Sequence, residues 1–226
     1  VDAVAVGEAE AMFADLAHAV GGHCSLNDVP NIIWRNHEGT FIRNERSESR
    51  IDLANLPMPR RDLTQAYRNE YFFLFDKPDT SVATSRGCPF RCNFCSVHEF
   101  YGGKINQMPA GRVLSEVATV STDHITFVDD NFLMNHQRET TIADMIRSEG
   151  IRKRYSMECR TDSIVRHPDL VKKWVDIGLY AVLLGLEGGS DKMLKSVGKS
   201  CTIDTNNRAI KILQDPKIRV HEEVDF

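Results

Sequence analysis

From Ser81 onward, short apolar runs alternate with amphipathic stretches, and this alternation predicts strand, helix, strand, helix. The expected strands are Val82–Ser85, Ile125–Val128, Tyr155–Cys159 and Ala181–Leu186, with a fifth strand-like run after Lys217. Between them, Val113, Leu114, Val117 and Ala118 share one face of a helix near Arg112–Val120, and Ile142, Met145 and Ile146 one face of Arg138–Ser148. Leu170, Val171, Trp174 and Val175 line the helix that Pro168-Asp169 opens and Gly178 closes, and a last helix lies around Asn206–Leu213. Strands separated this regularly by helices pair in parallel through right-handed crossovers, so the expected class is α/β.

The first part of the chain reads differently. Val4–Val6 is a short strand closed by Gly7, and Glu8 begins a helix with Met12, Phe13, Leu16, Ala17 and Val20 on one face, stopped by Gly21-Gly22. One βα unit cannot bury its apolar face alone, so its sheet is expected upstream. Asn31–Asn44 predicts a hairpin in which Ile32, Ile33 and Trp34 face Thr40, Phe41 and Ile42 across the turn Asn36-His37-Glu38-Gly39. A polar run, Glu45–Arg50, follows, and then a proline-punctuated, extended strap over Leu56–Leu63. Tyr67, Tyr71, Phe72, Phe73 and Phe75 form an aromatic cluster expected as core between domains. The expected organisation is therefore residues 1–24 as the end of one domain, 25–80 as hairpin and strap, and 81–226 as the main core.

Composition narrows the partners. With 28 Lys+Arg against 32 Asp+Glu, the net charge of -4 gives no basic field for nucleic acid, and no stretch predicts a transmembrane segment. Six scattered cysteines do not form a disulfide framework, and without a signal-peptide pattern the expected location is cytoplasmic. The chain opens in mid-strand without a methionine and stops inside a strand-like run, so a fragment is expected.

Chemistry concentrates where the expected strands end: a cysteine loop, Asp129-Asp130-Asn131, Arg160 and Glu187. In parallel β/α barrels this rim carries the active site. Cys88, Cys92 and Cys95 stand in a C-x3-C-x2-C array directly after the first strand. An odd set this close suits a metal centre better than disulfides, and soft thiolates point to zinc or iron-sulfur. Three ligands leave one coordination position open unless His98, three residues after Cys95, completes a zinc site. Cys24, Cys159 and Cys201 read as small buried hydrophobes, with Cys159 beside Arg160 a candidate for the substrate's vicinity. His98, His124, His136 and His167 have no metal-site spacing of their own and read as surface or capping residues.

The cysteine spacing, with Phe94 just before the last cysteine, resembles the radical S-adenosylmethionine (SAM) enzymes. The resemblance implies a partial (β/α) radical SAM barrel in which Cys88, Cys92 and Cys95 hold a 4Fe-4S cluster and SAM occupies the open iron. It further implies that Phe94, Asp129, Asp130, Arg160 and Glu187 bind the cofactor. D-D-N stands where the family commonly has G-G-E for the SAM amino group, and one aspartate could instead cap the next segment. Arg160 would pair with the SAM carboxylate, with a substrate anion or with Asp162, and Glu187, in G-L-E-G-G-S, would meet the ribose or form a rim salt bridge. Tyr101-Gly102-Gly103-Lys104 would shape the SAM pocket.

V-A-V-G-E-A-E-A-M-F resembles the tail of the Rossmann-like cobalamin-binding domain that precedes many radical SAM cores, and L-P-M-P-R-R-D-L resembles the strap joining the two. The lower-ligand motif D-x-H-x-x-G has no match here. C-N-F-C-S-V-H-E-F-Y-G-G, F-V-D-D-N-F-L-M-N and E-C-R-T-D-S-I-V-R-H-P look most like the branch containing hopanoid C-3 methylases. The implied activity is methylation of an unactivated carbon of a small-molecule or lipid substrate via methylcobalamin, with flavodoxin or ferredoxin as electron donor. A tetrapyrrole-type cyclase and a metal-binding module without turnover are the alternatives.

Overall fold

Five strands lie side by side in one parallel sheet, and the sequence alternation explains why. The computed structural model describes residues 2–45, 51–74, 76–214 and 218–223, so most of the expected polar run at 45–50 and the aromatic Phe75 lie outside the described residues. The chain divides into two compact units, Val1–Leu56 and Pro57–Phe226.

In the first unit, β1 (Ala3–Ala5) precedes α1 (Glu10–Val20), and β2 (Ile32–Arg35) and β3 (Phe41–Arg43) form the expected hairpin. The Asn36 side chain accepts from the backbone of Glu38 (3.0 Å) and Thr40 (2.8 Å), which fixes the turn. β1 pairs with β2 downstream, Ala3 with Trp34 and Ala5 with Ile32, antiparallel. The hairpin packs within the first compact unit, which ends at Leu56 inside the strap. Met12, Val29 and Ile32 form the core, flanked by Ala9, Leu16, Ala19, Leu26 and Trp34. The apolar face expected of α1 is only half covered, since Phe13 is 65% and Val20 77% exposed. A three-stranded sheet this small cannot cover a helix face of that width.

The second unit begins with an unforeseen 3-10 helix, Arg61–Glu70, whose residues are none of them buried. It is tied down by Arg61, which donates to Glu116 (2.6 Å) and to the Ser81 carbonyl (3.1 Å). Tyr67, Tyr71 and Phe72 are exposed within this unit rather than packed as core. Then follow β4 (Asp79–Val82), β5 (Ser85–Arg86), α2 (Val97–Tyr101), β6 (Asn106–Gln107), α3 (Ala110–Thr119), β7 (His124–Phe127) and α4 (His136–Ser148). β8 (Arg154–Arg160), α5 (Thr161–Arg166), α6 (Pro168–Asp176), β9 (Leu179–Gly185), α7 (Asp191–Ser196), α8 (Ile203–Gln214) and β10 (Arg219–Glu223) complete it. The sheet order is β10-β9-β8-β7-β4, all parallel.

The first sheet strand sits earlier than the apolar run suggests. β4 starts at buried Asp79, and Thr126 bridges Asp79 (3.0 Å) and Ser156 (2.7 Å) across the sheet. This polar ladder replaces the apolar residues that would have announced the strand. Residues 83–86 instead leave the sheet, and β5 pairs antiparallel with β6.

Strand alternation assigns the other face to aromatics. Phe127 and Tyr155 stack at 5.6 Å, and Trp174 of α6 meets both edge-on at 5.5 and 5.6 Å. On α3, Glu116 rather than Ala118 joins Val113 and Val117 inside, because Arg61 (2.6 Å) and Arg112 (3.7 Å) neutralise it.

Candidate cluster site at the strand ends

The cysteine loop leaves β5 through a glycine that no other residue could replace. Gly87 has φ +91°, and a Cβ there would lie 2.1 Å from the Lys104 carbonyl oxygen. Its N–H donates to Asp130 (2.7 Å). Cys88, Cys92 and Cys95 are all free thiols of intermediate exposure, and the Cys95 amide donates to the Cys92 carbonyl at 3.2 Å. Past the loop, Gly102 closes α2 in the left-handed conformation, and Gly103 lies where any Cβ would enter the His98 ring.

The far side of the loop is gripped by residues that sequence reading did not single out. Asn93 donates from its backbone to Val197 (2.8 Å) and from its side chain to Ser196 (3.0 Å) at the end of α7. Gly198, φ +71°, brings that turn so close that a Cβ would stand 2.9 Å from the Arg91 carbonyl. The only sequence signal was a glycine just past a helix, which reads as an ordinary helix stop.

Both aspartates after β7 serve the loop. Asp129 is buried; it accepts from the Thr84 amide (3.0 Å) and hydroxyl (2.8 Å), and from the Ser85 hydroxyl. Burial raises its carboxyl above the usual range, while these donors pull it back. Asp130 holds Gly87, so neither is simply the free carboxylate expected in the mouth. Arg138 braces the same place, donating to the carbonyls of Thr84 and Met108 (both 2.8 Å) and to Glu139 (2.9 Å). Glu139 is fully buried, and that burial pushes its carboxyl up to about 7 despite the neighbouring guanidinium.

Arg160 reaches the loop from the end of β8. Its guanidinium lies 3.6 Å above the Phe90 ring, Nη1 is 3.7 Å from Cys92 Sγ, and Nε donates to Asp162 at 2.9 Å. Its amide donates to Asn131 (3.1 Å), which fixes where the side chain starts. Burial raises the Cys88 thiol, and the Arg160 charge works against that rise.

Glu187 follows β9 with φ +59° and pairs with Lys199 at 2.6 Å, both side chains only 5% exposed. Gly185 leaves the room: a Cβ there would meet Lys199 Nζ at 2.6 Å. Phe94 is 39% exposed beside Cys95. Cys159 is buried and its thiol raised by burial, which sets it apart from the exposed rim.

Three soft thiolates on one loop are the donor type that iron-sulfur clusters take. Tetrahedral zinc with sulfur ligands holds them about 3.8 Å apart. The three Sγ atoms do not all lie within 4.8 Å of one another; among the described residues only His136, His167 and Asp169 form such a group. The histidine group stands at the starts of α4 and α6, whose positive dipole ends oppose a cation, and the 3.1 Å His136–Asp169 hydrogen bond accounts for its closeness.

Residues 82–224 match the Radical SAM superfamily. The chain is similar to the hopanoid C-3 methylase of Methylococcus capsulatus, at 30% identity over 97% of this chain and 41% of that protein. It is also similar to the anaerobic magnesium-protoporphyrin IX monomethyl ester cyclase of Synechocystis sp., at 26% identity over 96% of this chain and 44% of that one. Among solved structures, the cobalamin-dependent SAM radical enzyme OxsB superposes with a TM-score of 0.80 at 19% identity, over 97% of this chain and 32% of OxsB. The radical SAM methyltransferase TsrM from Kitasatospora setae superposes with a TM-score of 0.74 at 16% identity, over 99% of this chain and 45% of TsrM. At those identities the likeness is one of fold, and the chain spans less than half the length of each of these relatives.

Proposed function

Because the chain belongs to the Radical SAM superfamily, we propose that it forms the cluster- and SAM-binding part of a cobalamin-dependent methyltransferase acting on an unactivated carbon, with a hopanoid-type lipid as substrate class. The observation that carries this reading is the cysteine loop: three free thiols on a loop shaped by Gly87 and gripped by Asp130 and Asn93. When bound, a 4Fe-4S cluster would supply the electron that cleaves SAM to methionine and a 5'-deoxyadenosyl radical, and cobalamin would supply the methyl group.

The chain's own residues do the positioning. Cys88, Cys92 and Cys95 ligate, and Asp129 and Arg138 hold Thr84, which leads into β5 and the loop. Phe94 offers an exposed ring to SAM, and Glu187, oriented by Lys199, is the carboxylate nearest in type to what the ribose needs. Residues 1–24 are assigned to the end of a cobalamin-binding domain, on the likeness of V-A-V-G-E-A-E-A-M-F to that family's tail. The hopanoid substrate rests on the Methylococcus relative, and a small flavodoxin- or ferredoxin-type protein is the proposed donor. Among the described residues no helix is long and apolar enough to cross a membrane.

The test is anaerobic reconstitution with iron and sulfide, metal counting, and then dithionite and SAM with 5'-deoxyadenosine as readout. About four irons with deoxyadenosine formation is the expected result. Zinc, or no metal, in a folded chain would overturn the reading. The Synechocystis relative keeps a second reading open, and ring closure of a tetrapyrrole without methyl transfer would favour it.

A further inference from the structure

Arginine carries five N–H donors in a rigid fork, and two of those of Arg160 already have partners within this chain, which SAM binding does not require. Nε is held by Asp162 (2.9 Å), which also faces Arg166 (3.9 Å). Nη1 points at Cys92 Sγ (3.7 Å), and the plane of the group covers Phe90 (3.6 Å), so two residues of the run C-P-F-R-C touch it. Nη2 is buried without a hydrogen-bond partner among the described residues. A carboxylate gripped through Nε would have to displace Asp162, and one gripped through the N–H that meets the thiol would have to displace Cys92. Only 8% of the side chain is exposed, so its charge is weakly screened where it meets the thiol.

We infer that Arg160 is a redox-tuning and positioning residue: its buried guanidinium donates to the Cys92 sulfur and thereby raises the reduction potential of the cluster bound there. The inference rests on the cluster reading above. When one electron passes from dithionite to the oxidised cluster, no bond is made or broken, and the added negative charge falls partly on the ligating sulfurs. A cation and an N–H donor at one of those sulfurs favour the reduced form, since hydrogen bonds to the sulfurs and local charge are among the levers that set such potentials. Asp162 and Asp130 act in the opposite sense. Asp162 is already paired with the guanidinium and Asp130 with the Gly87 amide, which leaves Arg160 the cation directed at the thiolate.

The experiment compares the full chain with Arg160→Met and Arg160→Lys, each reconstituted anaerobically and titrated potentiometrically without SAM, with the EPR signal of the reduced cluster as readout. In Arg160→Met the equilibrium constant for reduction should fall about tenfold, equivalent to about 59 mV for one electron. Arg160→Lys, which keeps the charge but not the planar fork, should fall by less. SAM affinity, measured separately on the oxidised proteins, should change less than threefold in Arg160→Lys. An unchanged potential in Arg160→Met overturns the inference. So does a tenfold loss of SAM affinity at constant potential, which would make Arg160 the carboxylate ligand. Failure of both variants to hold four irons despite native circular dichroism also overturns it, leaving Arg160 a peg for the loop. Failure of the unsubstituted chain to bind iron would instead defeat the reading on which the inference rests.

Discussion

The two faces of the parallel sheet are built from the same strands and solve opposite problems. On one, Phe127, Tyr155 and Trp174 interlock with no polar partner, to the point that the Tyr155 hydroxyl and the Trp174 Nε1 are buried without a hydrogen bond among the described residues. On the other, Asp79, Thr126 and Ser156 form a ladder, and the same strand ends at Arg160 against the cysteine loop. Aromatic contact is tolerant of detail and supplies burial, whereas the polar face has little burial to offer and works through a few oriented groups. Stability should therefore reside on the aromatic face and chemistry on the polar one.

That division can be broken in graded steps. Cys92→Ala should abolish deoxyadenosine formation while leaving the denaturation midpoint nearly unchanged, because the loop is only partly buried; a large loss of stability would mean the loop is part of the core. Trp174→Ala should do the reverse. It should cost about 3–5 kcal/mol by urea denaturation, the usual range for emptying a buried aromatic site.

Glu139, buried on α4 beside Arg138, has an effect that depends on pH. Its folded value, about 7, is raised above the ordinary carboxylate range, so the native state binds more protons than the unfolded one between those values. Stability should thus fall as pH rises from about 4.5 to 7 and level off above that, by on the order of 3 kcal/mol. Glu139→Gln should flatten this dependence relative to the parent, and identical pH profiles for the two proteins would show that Arg138 fully compensates the buried charge. The smallest effect is expected from Asn93→Ala. Losing its side-chain bond to Ser196 should cost about 1 kcal/mol and show more clearly as faster loss of iron to a chelator than as a shifted melting curve.

Much of this was legible in the residues. The alternation from Ser81 onward located β7 to β10 and the helices α3, α4, α6 and α8, though not α2, α5 or α7; the hairpin around Asn36 could be located from its turn residues, and the three cysteines stood out by spacing. The first sheet strand was not legible, because Asp79, Thr80 and Ser81 carry no apolar signal, and what places them is pairing with distant β7 and the burial of Asp79 against Thr126. Nor was the 3-10 helix at Arg61–Glu70, whose stability comes from Glu116, 55 residues away from Arg61.

The sequence by itself determined which ligands are present and which elements carry them, since spacing and periodicity are local properties of the chain. Only the tertiary structure decided what each polar residue faces. Asp129 became the clasp on Thr84, Glu187 the partner of Lys199, and Arg160 the neighbour of Cys92 across 68 positions. Such pairings depend on strand register and on close approaches at Gly87, Gly185 and Gly198, and those are set by the packing of distant segments rather than by any neighbour in sequence.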